Sequence, residues 1–250
     1  CQFASACGFD ITIVDDRPAF ANAARFPMAH VICDTFEAAL EQLTITPYDY
    51  VIIVTRGHRH DGDCLRMLWE KEPPAYLGMI GSRRRVAGLK DVLEEEGISR
   101  KWLDNICTPI GLKIGAITPA EIAVSIMAEV ISYKRMPEIA RHPVNDSDLE
   151  NDMITYLAKN TEPQAVVTIV SSMGSTPRAA GAKMSVNIAG QVTGTIGGGC
   201  AEGAIIQTAV RMIGTGTYRL VSIDMSGEVA ESEGMVCGGV MTVLIEDGSR

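Results

Sequence analysis

Residues 49–80 read DYVIIVTRGHRHDGDCLRMLWEKEPPAYLGMI. A continuous apolar run rich in β-branched residues (49–55) predicts a strand, residues 60–71 predict a helix, and 75–80 predict a second strand. Strands with no polar alternation that are separated by helices belong in a parallel sheet covered on both faces. The pattern extends in both directions. Upstream, 10–15 (DITIVD) and 29–33 read as strands and 35–43 as a helix; downstream, 82–96 reads as a helix stopped by Gly97. At Thr118-Pro119-Ala120-Glu121 a capping threonine, a first-turn proline and a glutamate at the capping-box position open the clearest helix. Ile122, Ala123, Ile126, Met127, Val130 and Ile131 form its apolar stripe.

At 250 residues the chain has room for two domains. A parallel α/β domain is expected at 1–132, a proline-containing linker at 133–148, and a second domain at 149–250. The second domain reads as helix 149–159, strands 164–171, 182–187 and 191–196, helix 201–213, and strands 218–223 and 240–246, a more antiparallel arrangement rich in glycine loops.

A hydrophobic share of 46%, a charged share of 21% and a mean hydropathy of +0.13 exclude a disordered chain. No apolar run reaches the roughly 18 residues of a membrane span. A net charge of −9 argues against a general nucleic-acid binder while leaving room for a local anion pocket. Seven scattered cysteines without a Cys-x-x-Cys pair speak against both a disulfide framework and a structural zinc site. The reducing cytoplasm is the expected compartment.

Residues 1–8 read as the end of a helix leading into a strand closed by Asp15-Asp16. An acid at the end of the second strand is the ribose-binding position of a Rossmann-type unit, which requires a first strand and a glycine-rich turn before that helix. The expectation is that such a segment lies upstream of Cys1.

Two groups of residues carry chemistry. The first comprises Asp15, Asp16 and Arg17; Thr55, Arg56, Gly57 and His58; and Gly78, Gly81, Ser82 and Arg83, all expected at the carboxyl edge of the parallel sheet, where such folds bind ligands. Glycines there admit a phosphate to backbone N–H groups, and the helix start at Ser82 adds a favourable dipole. Asp61 is expected to cap the following helix. The second group comprises Gly174, Ser175, Thr176 and Arg178; Gly197, Gly198, Gly199, Cys200 and Glu202; and Cys237 before Gly238-Gly239. Three consecutive glycines cost backbone entropy and point to close backbone approach. Cys200 would open a helix whose dipole favours a thiolate. Arg178 would pair with an anionic ligand or with a neighbouring carboxylate.

The stretches YLGMIGSRRRV (76–86), EEEGIS (94–99) and PIGLKIGAITPAEIAVSIMAE (109–129) closely resemble the Rossmann domain of the XdhC/CoxI family, and DDRP (15–18) and VTRGH (54–58) extend the resemblance. GSTPRAAGAKM (174–184), GTIGGGCAE (194–202) and GMVCGG (234–239) resemble the family's CoxI domain. Many members place the CoxI domain first, whereas the order here resembles a subset with the reverse arrangement. The usual glycine fingerprint is absent from these 250 residues.

The resemblance implies an accessory protein that binds molybdenum cofactor (molybdopterin), protects it while its sulfur ligand is installed, and delivers it to a molybdenum hydroxylase apoenzyme such as xanthine dehydrogenase. A cysteine desulfurase and a second copy of the chain are the further expected partners. Cys200 and Cys237 would form the sulfur-handling centre, the glycine loops would hold the cofactor, and the Rossmann edge would hold NAD or another nucleotide. The two sets would face each other within a protomer or across a dimer. The rival reading is an NAD-dependent oxidoreductase, against which stands the lack of an acid–base pair for hydride chemistry. A third is an adaptor that docks the hydroxylase with a sulfur donor.

Overall fold

The computed structural model describes residues 1–136, 139, 147–198, 200–225 and 239–249, apart from the side chains of His58, Cys200, Ala201 and Ala204. The chain divides into two compact units, Cys1–Asn145 and Asp146–Arg250.

The first unit begins with α1 (Gln2–Ala6), β1 (Thr12–Val14), β2 (His30–Ile32), α2 (Phe36–Gln42), β3 (Tyr50–Ile53), α3 (His58–Trp69) and β4 (Tyr76–Met79). It ends with α4 (Arg83–Glu95), α5 (Arg100–Asp104) and α6 (Pro119–Arg135). Every strand pairing is parallel, but the single sheet read from the sequence is two parallel pairs, β1–β2 and β3–β4. β1 and β3 each keep one edge without a ladder partner among the described residues. Their ends are nonetheless tied: Phe9 stacks edge-on against Tyr50 at 5.4 Å, and Arg56 reaches Asp16 at 2.7 Å.

β4 is buried along its whole length, so its two faces serve two cores. Leu77 and Met79 pack with Leu65 and Leu68 of α3, Leu93 of α4 and Leu103 of α5. Tyr76, on the opposite face, packs with Ile110, Ile126 and Val130. Its hydroxyl donates to Glu129 at 2.5 Å, and burial with that carboxylate pushes the phenol well above its ordinary value. The capping box of α6 forms as read: Thr118 accepts from Glu121 N–H, and the Glu121 carboxylate takes the N–H groups of Ile117 and Thr118 at 2.8 Å each. Those two bonds hold its carboxyl below the usual range. The five-residue α5 has no counterpart in the sequence reading, because it is too short to establish a helical period.

The second unit contains α7 (Asn151–Lys159), β5 (Gln164–Met173), β6 (Lys183–Asn187), β7 (Val192–Gly194), α8 (Cys200–Met212), β8 (Tyr218–Asp224) and β9 (Val240–Asp247). Its sheet is wholly antiparallel in the order β7-β6-β5-β9-β8. Alternation decides its core: Ala165, Val167 and Ile169 of β5 and Met241, Val243 and Ile245 of β9 point one way, where Ile205, Ala209 and Met212 of α8 cover them. A register shift between Ile169 and Ser171 ends that alternation, so the strand continues exposed towards the Gly174 turn. No described helix in either unit is long and apolar enough to cross a membrane.

Candidate functional site

In the first unit the three loops named from sequence all leave the carboxyl ends of strands: 15–18 follows β1, 55–57 follows β3 and 80–82 follows β4. Charged side chains join them. Arg17 grips the Asp15 carboxylate with two bonds, Nε at 2.8 Å and Nη2 at 2.9 Å, and holds that carboxyl below its ordinary value. Arg56 donates to Asp16 at 2.7 Å, linking the first loop to the second.

The second loop and the first turn of α4 meet at Asp61, which is 1% exposed. Thr55 Oγ1 donates to one of its oxygens and Arg85 Nη2 to the other, each at 2.5 Å. The expectation of a helix cap at Asp61 is therefore corrected. The helix starts two residues earlier than read, at His58 with Gly57 as its N-cap residue, which places Asp61 inside α3 as the buried weld between the 55–57 loop and α4. Nothing in the sequence marks Asp61 apart from its proximity to the loop, because its partner Arg85 lies 24 residues away.

The glycines of this edge differ in kind. Gly57 is extended, at φ 179°, with no atom of the described residues within 4 Å of where a Cβ would stand. Gly78 is a packing glycine: a Cβ there would meet the Tyr76 hydroxyl at 2.5 Å and Ile110 at 2.6 Å. At Gly81 the obstacle is Val86, at 2.9 Å. Ser82 caps α4 by accepting from Arg85 N–H at 3.4 Å, and Arg83 lies exposed in the first turn. His58 occupies the first turn of α3, and its side chain lies outside the described residues.

In the second unit the glycine motifs gather around the 174–178 turn. Gly197, at φ +127°, sits so close to Pro177 that a Cβ would collide with the ring. Gly239 approaches from β9, where a Cβ would meet Ser175 O and Thr176 Cγ2 at 2.7 Å each. At Gly198, φ +74°, no atom of the described residues lies within 4 Å of where a Cβ would stand. Cys200 is the first residue of α8, one position earlier than read. Gly199, Cys237 and the Cys200 side chain lie outside the described residues.

The two charged side chains of this region, Glu202 and Arg178, are already engaged. Glu202 Oε1 accepts from Thr195 Oγ1 at 2.6 Å and from the N–H groups of Ile196 and Gly198 at 2.9 Å each. Of the two fates read for Arg178, the structure shows the second. Its Nε meets Asp148 at 2.6 Å and its Nη1 meets Glu150 at 2.8 Å, and bonding to these acids raises its proton affinity. Asp148 also accepts from Ala179 N–H at 3.0 Å, so it braces the turn from the linker side. Among the described residues no three His, Cys, Asp or Glu side chains group as a metal site. Cys64 is buried, and burial pushes its thiol up to about 12, which removes it as a nucleophile.

Residues 1–130 match the family described as the XdhC Rossmann domain, and residues 157–224 match the XdhC and CoxI family. The chain belongs to the XdhC/CoxI family. An Escherichia coli K12 relative, the uncharacterised protein YqeB, is 36% identical over 135 residues, covering 53% of this chain and 24% of its own. A Bacillus subtilis protein whose name makes it a probable component of xanthine dehydrogenase is 31% identical, covering 54% of this chain and 38% of its own. A solved Bacillus halodurans structure described as a xanthine dehydrogenase is 35% identical with a TM-score of 0.47, covering 52% of this chain and 38% of that one. The matched region is therefore well under half the length of either curated relative. Within the XdhC/CoxI family assignment, the Rossmann-type unit comes first along the chain and the CoxI-type unit second.

Proposed function

We propose that this protein is an accessory factor for a molybdenum hydroxylase of the xanthine dehydrogenase type. In this reading it binds molybdenum cofactor at the glycine turn opening α8, supports its sulfuration by a cysteine desulfurase, and passes it to the apoenzyme. The observation that carries the reading is the convergence of separate glycine motifs on one turn: Gly197 lies on Pro177, Gly239 lies on Ser175 and Thr176, and Cys200 begins the helix beside them. Membership of the family and the B. subtilis relative's name support the choice of client.

The turn fits such a cofactor where it is open. No described atom stands within 4 Å of where a Gly198 Cβ would be, and its N–H is already given to Glu202. Gly198 therefore leaves a ligand room beside the backbone rather than a free donor, while the first turn of α8 offers helix-end dipole to a phosphate. Gly198 and Cys200 would hold the group, with Ser175 and Thr176 at its border. When bound, the cofactor supplies a molybdenum centre with exchangeable sulfur and oxygen ligands. The chain's own part is to present backbone, keep the turn rigid through Pro177, Asp148 and Glu202, and offer the Cys200 sulfur as a soft contact. The Rossmann edge, with no described residue crowding Gly57, is read as the place for NAD, another nucleotide, or the nucleotide tail of a dinucleotide form of the cofactor.

The test is metal analysis and pterin fluorescence of anaerobically purified protein, followed by transfer to apo-hydroxylase. Wild type should carry the cofactor and activate the apoenzyme. Cys200→Ala should stay folded, since replacing a thiol by hydrogen removes little volume, yet abolish retention, whereas Cys7→Ala should not. Wild-type protein free of pterin that fails to activate the hydroxylase refutes the reading.

A further inference from the structure

We infer that Glu202 is the positioning residue of the glycine turn, acting on the ligand through the backbone it organises rather than by touching it. This rests on the proposed cofactor site. A charged residue two positions after Cys200 looks from sequence like a ligand contact, but the geometry turns its inner oxygen the other way. Oε1 reaches back from the first turn of α8 and takes three donors from the preceding loop: Thr195 Oγ1 at 2.6 Å, Ile196 N–H and Gly198 N–H at 2.9 Å each. Three donors exceed the roughly two lone-pair sites of one carboxylate oxygen, so Oε1 has no capacity left for a ligand.

Thr195 extends the same network. With its proton given to Glu202, its oxygen accepts Gly197 N–H at 3.0 Å. Three successive backbone N–H groups, at 196, 197 and 198, are thereby fixed by one carboxylate, directly or through one hydroxyl. A capping-box glutamate normally satisfies only the N-cap amide; here the same device reaches further upstream. The need for it is local. Gly197 and Gly198 both have positive φ, at +127° and +74°, and glycines have the most conformations to lose, so a turn built from them stays ordered only if something holds it. Pro177 blocks it from one side, and Glu202 holds its N–H groups from the helix. The outcome is an ordered backbone at Gly198 and a fixed starting point for α8 at Cys200.

The experiment compares Glu202→Gln, Glu202→Ala and Thr195→Val in two arms. The first is hydrogen exchange at Ile196, Gly197 and Gly198. The second is binding of molybdenum cofactor released anaerobically from a donor molybdoenzyme, read by pterin fluorescence after oxidation. Gln keeps an acceptor oxygen at the same reach, so it should preserve exchange protection and bind within about threefold of wild type. Ala should lose about tenfold in protection at these amides, the equivalent of one lost charge-assisted bond, and weaken binding at least as much. Thr195→Val should loosen Gly197 and bind between the two. Rescue by Gln separates positioning from charge contact.

Two results overturn the inference: Glu202→Gln losing binding while its amides stay protected, which would make the charge a direct contact, and Glu202→Ala loosening the amides while binding normally. If wild type itself binds no cofactor, the proposed function fails, and with it any action of Glu202 on that ligand. The exchange arm would still report whether Glu202 orders the turn.

Discussion

The edge of the first unit and the glycine turn of the second bring distant residues together by opposite means. At the edge, side chains tie the loops after β1 and β3 to each other and to the helices that follow: Arg56 to Asp16, and Thr55 of the second loop and Arg85 of α4 to Asp61 of α3. In the turn, backbone lies directly on backbone and on a proline ring, and one carboxylate finishes the job. The supporting sheets explain the contrast. Pairs of strands three or four residues long carry backbone pairing no further than the first residue of the loops after β1 and β4, so long charged side chains span the gaps beyond. The five-stranded antiparallel sheet delivers β5 and β9 side by side up to the turn, close enough for glycines to touch.

The largest break in this comparison should come from Asp61→Ala. Removing a carboxylate that is 1% exposed leaves Thr55 and Arg85 without their buried partner. The expected loss is about 3 kcal/mol, the lower end for a broken buried pair because Arg85 reaches solvent. Both tryptophans, Trp69 and Trp102, stack on each other at 5.4 Å in the first unit, so fluorescence-detected denaturation reads that unit alone. Exchange protection of β5 and β9 should stay unchanged. A midpoint equal to wild type would show that the loops hold together without the weld.

Next in size is Gly197→Ala, expected to cost about 1–3 kcal/mol in the second unit through a positive φ and the collision with Pro177. Gly198→Ala has the positive φ but no described atom in the way, so about 1 kcal/mol is expected. Thermal unfolding followed through exchange at β5 and α8 compares them. Equal costs would mean that the approach to Pro177 contributes nothing.

The smallest effect belongs to Asp15 and Arg17, a pair at the surface of the edge. Its carboxyl is held below the ordinary value by Arg17, so the pair stabilises the folded state above the unfolded carboxylate pKa, about 3.9. That contribution is lost as pH falls through the lower folded value. Asp15→Asn should therefore unfold below wild type at pH 6, by under about 1 kcal/mol, and the two should converge as pH drops below about 4. A difference independent of pH would assign the effect to shape rather than charge.

Much of the fold was legible because periodicity is local. Residues 49–55 and 75–80 announced β3 and β4, and Thr118-Pro119-Ala120-Glu121 announced the capping box that α6 forms. The glycine runs were legible as sites of close approach, since no other residue tolerates such φ values cheaply. What they approach was not, because Pro177 lies 20 positions before Gly197, and Ser175 lies 64 before Gly239.

The sequence by itself therefore determined the element types, the order of the two units, the family, and which residue types stand at each loop. Composition and period depend only on neighbours in the chain. The tertiary structure decided which charges are spent internally: Arg178 on Asp148 and Glu150, Arg17 on Asp15, and Glu202 on the turn N–H groups. It also decided that Gly78 serves the packing of Tyr76 while no described residue crowds Gly57. A charge or a glycine has the same letter whether it meets a ligand or a neighbour, and only the placement of the rest of the chain in space selects between them.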